Sequence, residues 1–385
     1  MSEGSRRRLI YVAEVTPGTT PGTPACKTLR GNGGAGIALR RQSLVSGEYR
    51  QDRAIPSMRL GNKTPSLDVP FEFSFQSFDD ILESALFGAW AAAYALTGLT
   101  VDVDATAKTF TRSAGSFVTD GVKVGDRITF GGFTDAGNNG EFVVSAVEAL
   151  VVTCATATGL VDVTDDTEVT ATTDRHILKQ GVTKKYFTIE EGFTDIAQYQ
   201  PMRGAIANAF SLDIRPNAIV TGSFGFLALA ADVFSGTSID ATPDAAPTTE
   251  PFDSYTGTLK EGGVAIATVT GLSLSIANGL EHFFALFDED PYRIGTGRAN
   301  VTGRVSAYFE DATLANKFLN ETESSLELEL EDPAGNVYTL LIPRIKYTGA
   351  DKSMSENNIA IDLPFQALYD ATTATAIQIT RVSAT

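Results

Sequence analysis

The sequence predicts a mainly β protein: a β-barrel or sandwich with one flanking α-helix, plus an inserted small all-β domain of barrel or immunoglobulin-like type. Three observations lead there. Of 385 residues 43% are apolar and only 20% charged, and 35 glycines and 15 prolines punctuate the chain, which suits many strands joined by turns. Apolar and polar residues alternate with a period of two in many segments, as on half-buried strands. Only Asp79 to Leu96 gives a convincing helical repeat.

Residues 15 to 36 are rich in Thr, Pro and Gly and read as extended loop. Residues 37 to 63 read as a long hairpin or arm carrying Arg40, Arg41, Arg50, Arg53, Arg59 and Lys63. A solvated charged loop, a self-assembly arm and a phosphate-contacting surface all fit that charge run. Ser66 to Phe75 is a strand with Leu67, Val69, Phe71, Phe73 and Phe75 on one face. A helix follows to Leu96, with Phe78, Leu82, Leu86 and Phe87 at helical spacing, Asp79, Asp80 and Glu83 in its first turns, and Trp90 buried within it.

The texture changes at residue 98. Short strands at Lys108–Arg112, Arg127–Phe130, Glu141–Val147 and Leu150–Cys154 are separated by Gly, Asp and Asn. Residues 98–176 therefore read as an inserted β domain on the outer surface, with 1–97 and 177–385 as the main domain and 1–63 as its basic N-terminal arm and loop. The ends of an insertion must lie close together in space. After it, Gly204 to Ala228 reads as one β-hairpin turning at Arg215-Pro216-Asn217. Ile206, Phe210, Leu212, Val220, Phe224 and Phe226 make one side oily; Ser211, Asp213, Thr221 and Ser223 make the other small and polar. Asp232 to Tyr255 is a long loop, functional or disordered. Strands return at 264–276, 298–309, 324–331, 337–347, 357–365 and 377–382, where Glu327, Glu329 and Glu331 alternate with Leu326, Leu328 and Leu330.

Charge is unevenly placed. Residues 1–63 hold eleven basic and four acidic groups, whereas the remainder holds nineteen and forty-three, so a basic arm precedes an acidic body. That division suits head-to-tail association between copies. Two distant cysteines, Cys26 and Cys154, exclude a disulfide scaffold and a cysteine-rich zinc site. The apolar run Leu9 to Ala13 is too short for a secretory signal, and Ser84 to Thr100 too polar to span a bilayer.

Motifs for catalysis are absent, so no enzyme, cofactor or metal is expected. Gly31-Asn-Gly-Gly-Ala-Gly36 matches G-x-G-x-x-G, but loop precedes it and an Arg-rich arm follows, where a dinucleotide site needs a strand and a helix. His282 reads as a packed or hydrogen-bonded core histidine, and His176 as serving the insertion boundary. Asp162, Asp165, Asp166 and Glu168 lack calcium-loop spacing and read as a solvated turn. A carboxylate pair for glycoside hydrolysis is not visible in sequence.

With these elements in this order, residues 36–97 and 177–385 resemble the tail tube protein (major tail protein) of long-tailed, non-contractile bacteriophages. The best-matching stretches are Lys185–Gly192, Ala205–Phe226, Gly271–Asn278 and Ala299–Asp311; the insert, with Gly115–Thr129 and Gly132–Gly140, resembles small β modules of phage structural proteins. The resemblance implies a virion protein, assembled in the host cytoplasm, that forms hexameric rings stacked head to tail into a hollow tube delivering DNA. It implies tape measure, tail terminator and distal tail proteins as partners, DNA passing without specific binding, no membrane, and an insert available to the host surface. Arg40, Arg41, Arg50, Arg53, Arg59 and Lys63 would then form an inter-ring arm. Asp213, Glu327, Glu329, Glu331, Ser211, Thr221 and Ser223 would line the lumen. Two other classes fit some of the same features: a carbohydrate-binding, adhesin-like sandwich, and a secreted hydrolase.

Overall fold

A computed structural model describes every residue except 1, 2, 35, 156 and 385. The chain forms two compact units, the first of Met1–Ala89, Lys179–Pro333 and Leu340–Gln378, the second of Trp90–Leu178, Ala334–Thr339 and Ile379–Thr385. Strands dominate and helices are few, as the sequence predicts.

In chain order the elements are β1 (Arg7–Glu14), β2 (Lys27–Thr28), β3 (Ala38–Val45), β4 (Met58–Glu72), α1 (Asp79–Leu86), β5 (Ala91–Ala92), β6 (Ala95–Asp104), β7 (Thr109–Arg112), α2 (Phe117–Asp120), β8 (Arg127–Gly131), β9 (Gly140–Val147), β10 (Val151–Cys154), β11 (Val163–Thr173) and β12 (His176–Lys179). There follow β13 (Tyr186–Phe193), β14 (Gln198–Ile214), β15 (Thr221–Leu227), β16 (Ala230–Ala231), β17 (Gly257–Glu261), β18 (Val264–Ala265), β19 (Val269–Ala277), β20 (Glu281–Phe283) and β21 (Arg293–Gly295). The chain closes with β22 (Asn300–Tyr308), α3 (Thr313–Leu319), β23 (Ser324–Glu331), β24 (Val337–Tyr347), β25 (Asp351–Met354), β26 (Ile359–Ala367) and β27 (Gln378–Val382).

The first unit is built on an antiparallel sheet in which β3, β4, β15, β14, β19, β22 and β26 pair in that order, and β26 also holds the end of β24 and β25. Period-two alternation gives this sheet one apolar side. Val69, Phe71, Phe210, Leu212, Phe224, Leu274, Val305 and Leu363 are buried there. Aromatic rings lock its centre, with Phe71 4.6 Å from Phe224 and 4.6 Å from Phe78 at the start of α1. Pairing of β17 with β23 brings Leu259, Leu326 and Leu328 around one small void with Leu272, Leu274 and Phe365. The core is therefore enclosed between strands, with polar groups on the outer sides.

Helix α1 stops at Leu86, ten residues before the predicted end at Leu96. Phe87 adopts a left-handed conformation at φ 52°, the Gly88 N–H donates 3.1 Å to the Glu83 carbonyl, and Gly181 and Thr183 N–H groups take the Leu86 and Phe87 carbonyls. This is a left-handed C-cap, and the Phe87-Gly88 pair that forms it was masked by the apolar run beyond. Trp90 accordingly lies outside the helix; Tyr338 stacks on it at 6.2 Å and the Arg381 guanidinium sits 4.7 Å above its ring. The structure also adds helices the sequence reading lacked, α2 and α3. Ser116 caps α2 by accepting from the Thr119 N–H.

In the second unit β10, β7, β6, β11, β8 and β9 close a barrel. Phe110, Phe130 and Phe142 fill it, the first two stacked at 4.1 Å. Entry and exit strands lie side by side, since Ala91 and Ala92 of β5 pair with Ile177 and His176 of β12. Arg175 and Asp126 form a buried ion pair at 2.8 Å. Of the acids read as a turn, Asp165, Asp166 and Glu168 belong to the bulged strand β11, where Asp166 accepts from Thr134, and Asp162 precedes it, accepting from the Ala105 N–H.

Candidate functional site

The outward side of the main sheet is an organised polar surface, and register shows how it is built. Ser211 on β14 stands opposite Ser223 on one side and Ser275 on the other; Ser275 faces Thr302, which faces Gln366. A second row runs Glu72, Thr221, Asp213, Ser273, Arg304 and Pro364. Side chains here are short and polar because the opposite side of every strand is committed to the core. Few bulky groups interrupt it.

Hydroxyls and carboxylates knit the surface. Ser211 Oγ lies 2.8 Å from Ser223 Oγ, and Ser306 Oγ donates to Asp362. Arg215 pairs with Asp213 at 2.8 Å, and Arg304 with Asp362 at 3.7 Å. On this face Asp68, Glu72, Asp213 and Asp362 stand against Arg304 and, from the hairpin turn, Arg215, a small acidic excess.

Of the residues singled out in sequence, Ser211, Asp213, Thr221 and Ser223 come together on this face. Glu327, Glu329 and Glu331 do not join them: they sit on β23, facing away from the leucines that close the core. Lys260 neutralises Glu327 at 2.6 Å, Glu329 lies opposite Thr258, and Glu331 is exposed. The sequence reading did not name Asp68, Ser273, Ser275 or Asp362, although the alternation Leu272-Ser-Leu-Ser-Ile276 carries the signal.

The basic arm is an antiparallel extension of β3 and β4. Glu289 binds Arg41 at 3.0 Å and Lys63 at 3.3 Å, and Asp290 adds to Lys63, whose charged form is favoured by these acids despite burial. Arg50 pairs locally with Asp52; Arg40, Arg53 and Arg59 are exposed. At the two ends of the sheet, among the described residues, β3 pairs only with β4 and β25 only with β26. Both outer edges are exposed, and such edges invite pairing with another chain.

Catalytic arrangements do not emerge among the described residues. No three His, Cys, Asp or Glu side chains gather to hold a metal ion, and no helix is long and apolar enough to cross a membrane. His282 Nε2 lies 2.9 Å from the Ala228 carbonyl, and burial lowers its pKa. His176 Nδ1 lies 2.7 Å from the Asp174 carbonyl, and Asp166 and Asp162 cap backbone N–H groups. In the Gly31–Gly36 motif Ala35 lies outside the described residues, and Arg7 donates to the Gly33 carbonyl.

Comparison with known families decides what this surface belongs to: the family described as phage tail tube protein matches residues 4–367. The chain belongs to the phage tail tube protein family. A phage tail tube protein is a component of the virion tail that self-assembles into a tube with other tail proteins. This tail tube protein presents a broad polar sheet face and two open sheet edges among the described residues. No curated protein matches the chain.

Proposed function

We propose that this chain builds the wall of a hollow phage tail tube from stacked rings of six sheet panels, and that the serine, threonine and aspartate face looks into the channel. The observation that carries this is the main sheet itself, apolar and closed on one side, small and acidic on the other, and open at both edges. Closure edge to edge removes the exposed strand edges. Affinity for a duplex comes largely from neutralised phosphates, so an acidic wall lets DNA pass without holding it.

In this reading the exposed arginines of the β3–β4 arm, Arg40, Arg53 and Arg59, bridge successive rings, with Arg41 and Lys63 anchoring the arm through Glu289. The barrel of residues 95–173 is available to meet a host surface. Tape measure, terminator and distal tail proteins are the natural partners at the lumen and the two tube ends, and assembly takes place in the host cytoplasm. Non-contractile, long-tailed virions are the class this implies. Electron microscopy of the expressed chain tests the reading: hollow rods or rings are expected, and monomers alone, even with tail initiator proteins added, would count against it.

A further inference from the structure

The first unit contains the same arrangement twice. Eight elements recur in the same order: β1, β2, β3, β4, α1, β13, β14 and β15, then β17, β18, β19, β22, α3, β23, the interrupted strand β24–β25, and β26. Their pairing recurs too. The opener pairs with its short neighbour, β1 with β2 and β17 with β18, and then with the strand that follows the helix, β13 or β23. The sheet strands β3–β4–β15–β14 are matched by β19–β22–β26–β24/β25. Register aligns Val69 with Val305, Phe226 with Phe365 and Ala228 with Ala367, so core positions coincide although little else does. The barrel interrupts the first repeat between α1 and β13, where the second repeat has only the turn 320–323.

One junction inside the chain joins the repeats. Strand β14, last in the first panel, pairs antiparallel with β19, first in the second, placing Ser211 opposite Ser275 and Asp213 opposite Ser273. The remaining outer strands, β25 at one end and β3 at the other, are the equivalents of β14 and β19 with no strand beyond them among the described residues. They are the same pair of edges, left open.

We infer that each chain supplies two of the six sheet panels of a ring, so that three chains, not six, close it, with β25 of one chain pairing with β3 of the next in the register of the β14–β19 junction. Carrying that register over sets Asp351, the equivalent of Ser211, opposite Ala38 of the neighbouring chain, the equivalent of Ser275. Six panels come from three chains because the intramolecular junction already makes half of the contacts. This rests on the tube reading above.

The test is the double variant Ala38→Cys with Asp351→Cys in the full chain. Directly opposed residues in an antiparallel pair have Cα atoms about 4.5–5.5 Å apart, within disulfide reach; the native Cys26 and Cys154 are buried. Oxidised assemblies should give a covalent ladder of one, two and three chains that stops at three, absent from either single variant. Wild-type rings should have three times the 40.8 kDa chain mass and threefold symmetry in cross-section. Hollow rods with six chains per ring, or no cross-link in assembled rods, would overturn the inference while leaving the tube intact. Absence of any ring or rod would overturn the tube reading and the inference with it.

Discussion

The hydroxyls of Ser211 and Ser223 lie 2.8 Å apart across the β14–β15 hairpin, at the middle of the row that runs from Pro70 to Gln366. Short side chains that satisfy one another leave a smooth surface. Replacing Asp213 or the exposed Ser275 with Lys should leave rings intact, because neither side chain enters the core, yet slow DNA passage by adding phosphate contacts. DNA ejection from assembled mutant tails should fall about tenfold or more at low salt and recover as salt rises, since each neutralised phosphate adds to the salt dependence. Unchanged ejection would remove this face from the channel.

Gly222 and Gly303 leave room for rings. A Cβ on Gly222 would run into the Ser211 carbonyl and the Phe71 ring, and one on Gly303 into the Ser273 carbonyl and the Phe365 ring. Each Gly→Ala change should destabilise by about 1–3 kcal/mol, the usual cost of overpacking. Denaturant midpoints measure it, with the exposed Gly236→Ala, which meets nothing, as the control.

Lys185 is held by Asp80 and Glu83, each at 2.6 Å, and Asp80 also meets Lys27. Burial pushes the Asp80 carboxyl upward, but Lys185 and Lys27 outweigh it, and the net shift is down. A lowered folded pKa stabilises above the unfolded value and is lost as pH falls through the folded one. Lys185 itself is raised, burial being outweighed by its two acids, so its contribution persists until alkaline pH. Lys185→Met should therefore cost roughly 1–3 kcal/mol at pH 7, and the gap to wild type should shrink as Asp80 is protonated, below about pH 4. Thermal melts across that range read it out.

Burial drives both cysteine thiols up to about 12. At pH 8 neither should be alkylated in the folded protein, because the thiolate is the nucleophile. Cys26 lies in the first unit and Cys154 in the second. Labelling during a denaturant titration should therefore report the opening of each separately.

Replacing residues 95–173 with a short glycine linker should leave a folded chain that still forms tubes. The pairing of β5 with β12 holds the cut ends together, and insertions at such points are well tolerated. A deletion that gives only insoluble protein, while the isolated barrel also fails to fold, would show the two to be one cooperative structure.

The hairpin Gly204–Ala228 was legible because its two arms alternate around a Pro-Asn turn, blurred only at Ile219 and Leu227, and the structure pairs them with one bulge near Ala207. Helix α1 was legible in its start, through Asp79 and Asp80, and misread in its end, because the uncharged residues after Leu86 hide a left-handed cap. Helix α3 was missed because Thr313–Leu319 is short, with no acidic first turn and an alanine at its N-cap; only Asp311, two residues back, accepts from the Thr313 N–H. The repeat was invisible for a different reason. Its halves share apolar positions, and apolar positions are shared by every amphipathic strand.

The sequence by itself determined that this protein is built of strands and which residues of many strands face a core, since alternation and turn chemistry act over a few neighbouring residues. Only the tertiary structure decided which strands are neighbours. It brought Ser211 beside Ser275, some sixty residues away in sequence, set Glu327, Glu329 and Glu331 on β23 beside β17, and left β3 and β25 with open edges among the described residues. Strand pairing is made by backbone hydrogen bonds common to all residues, so the side-chain pattern alone does not name the partner.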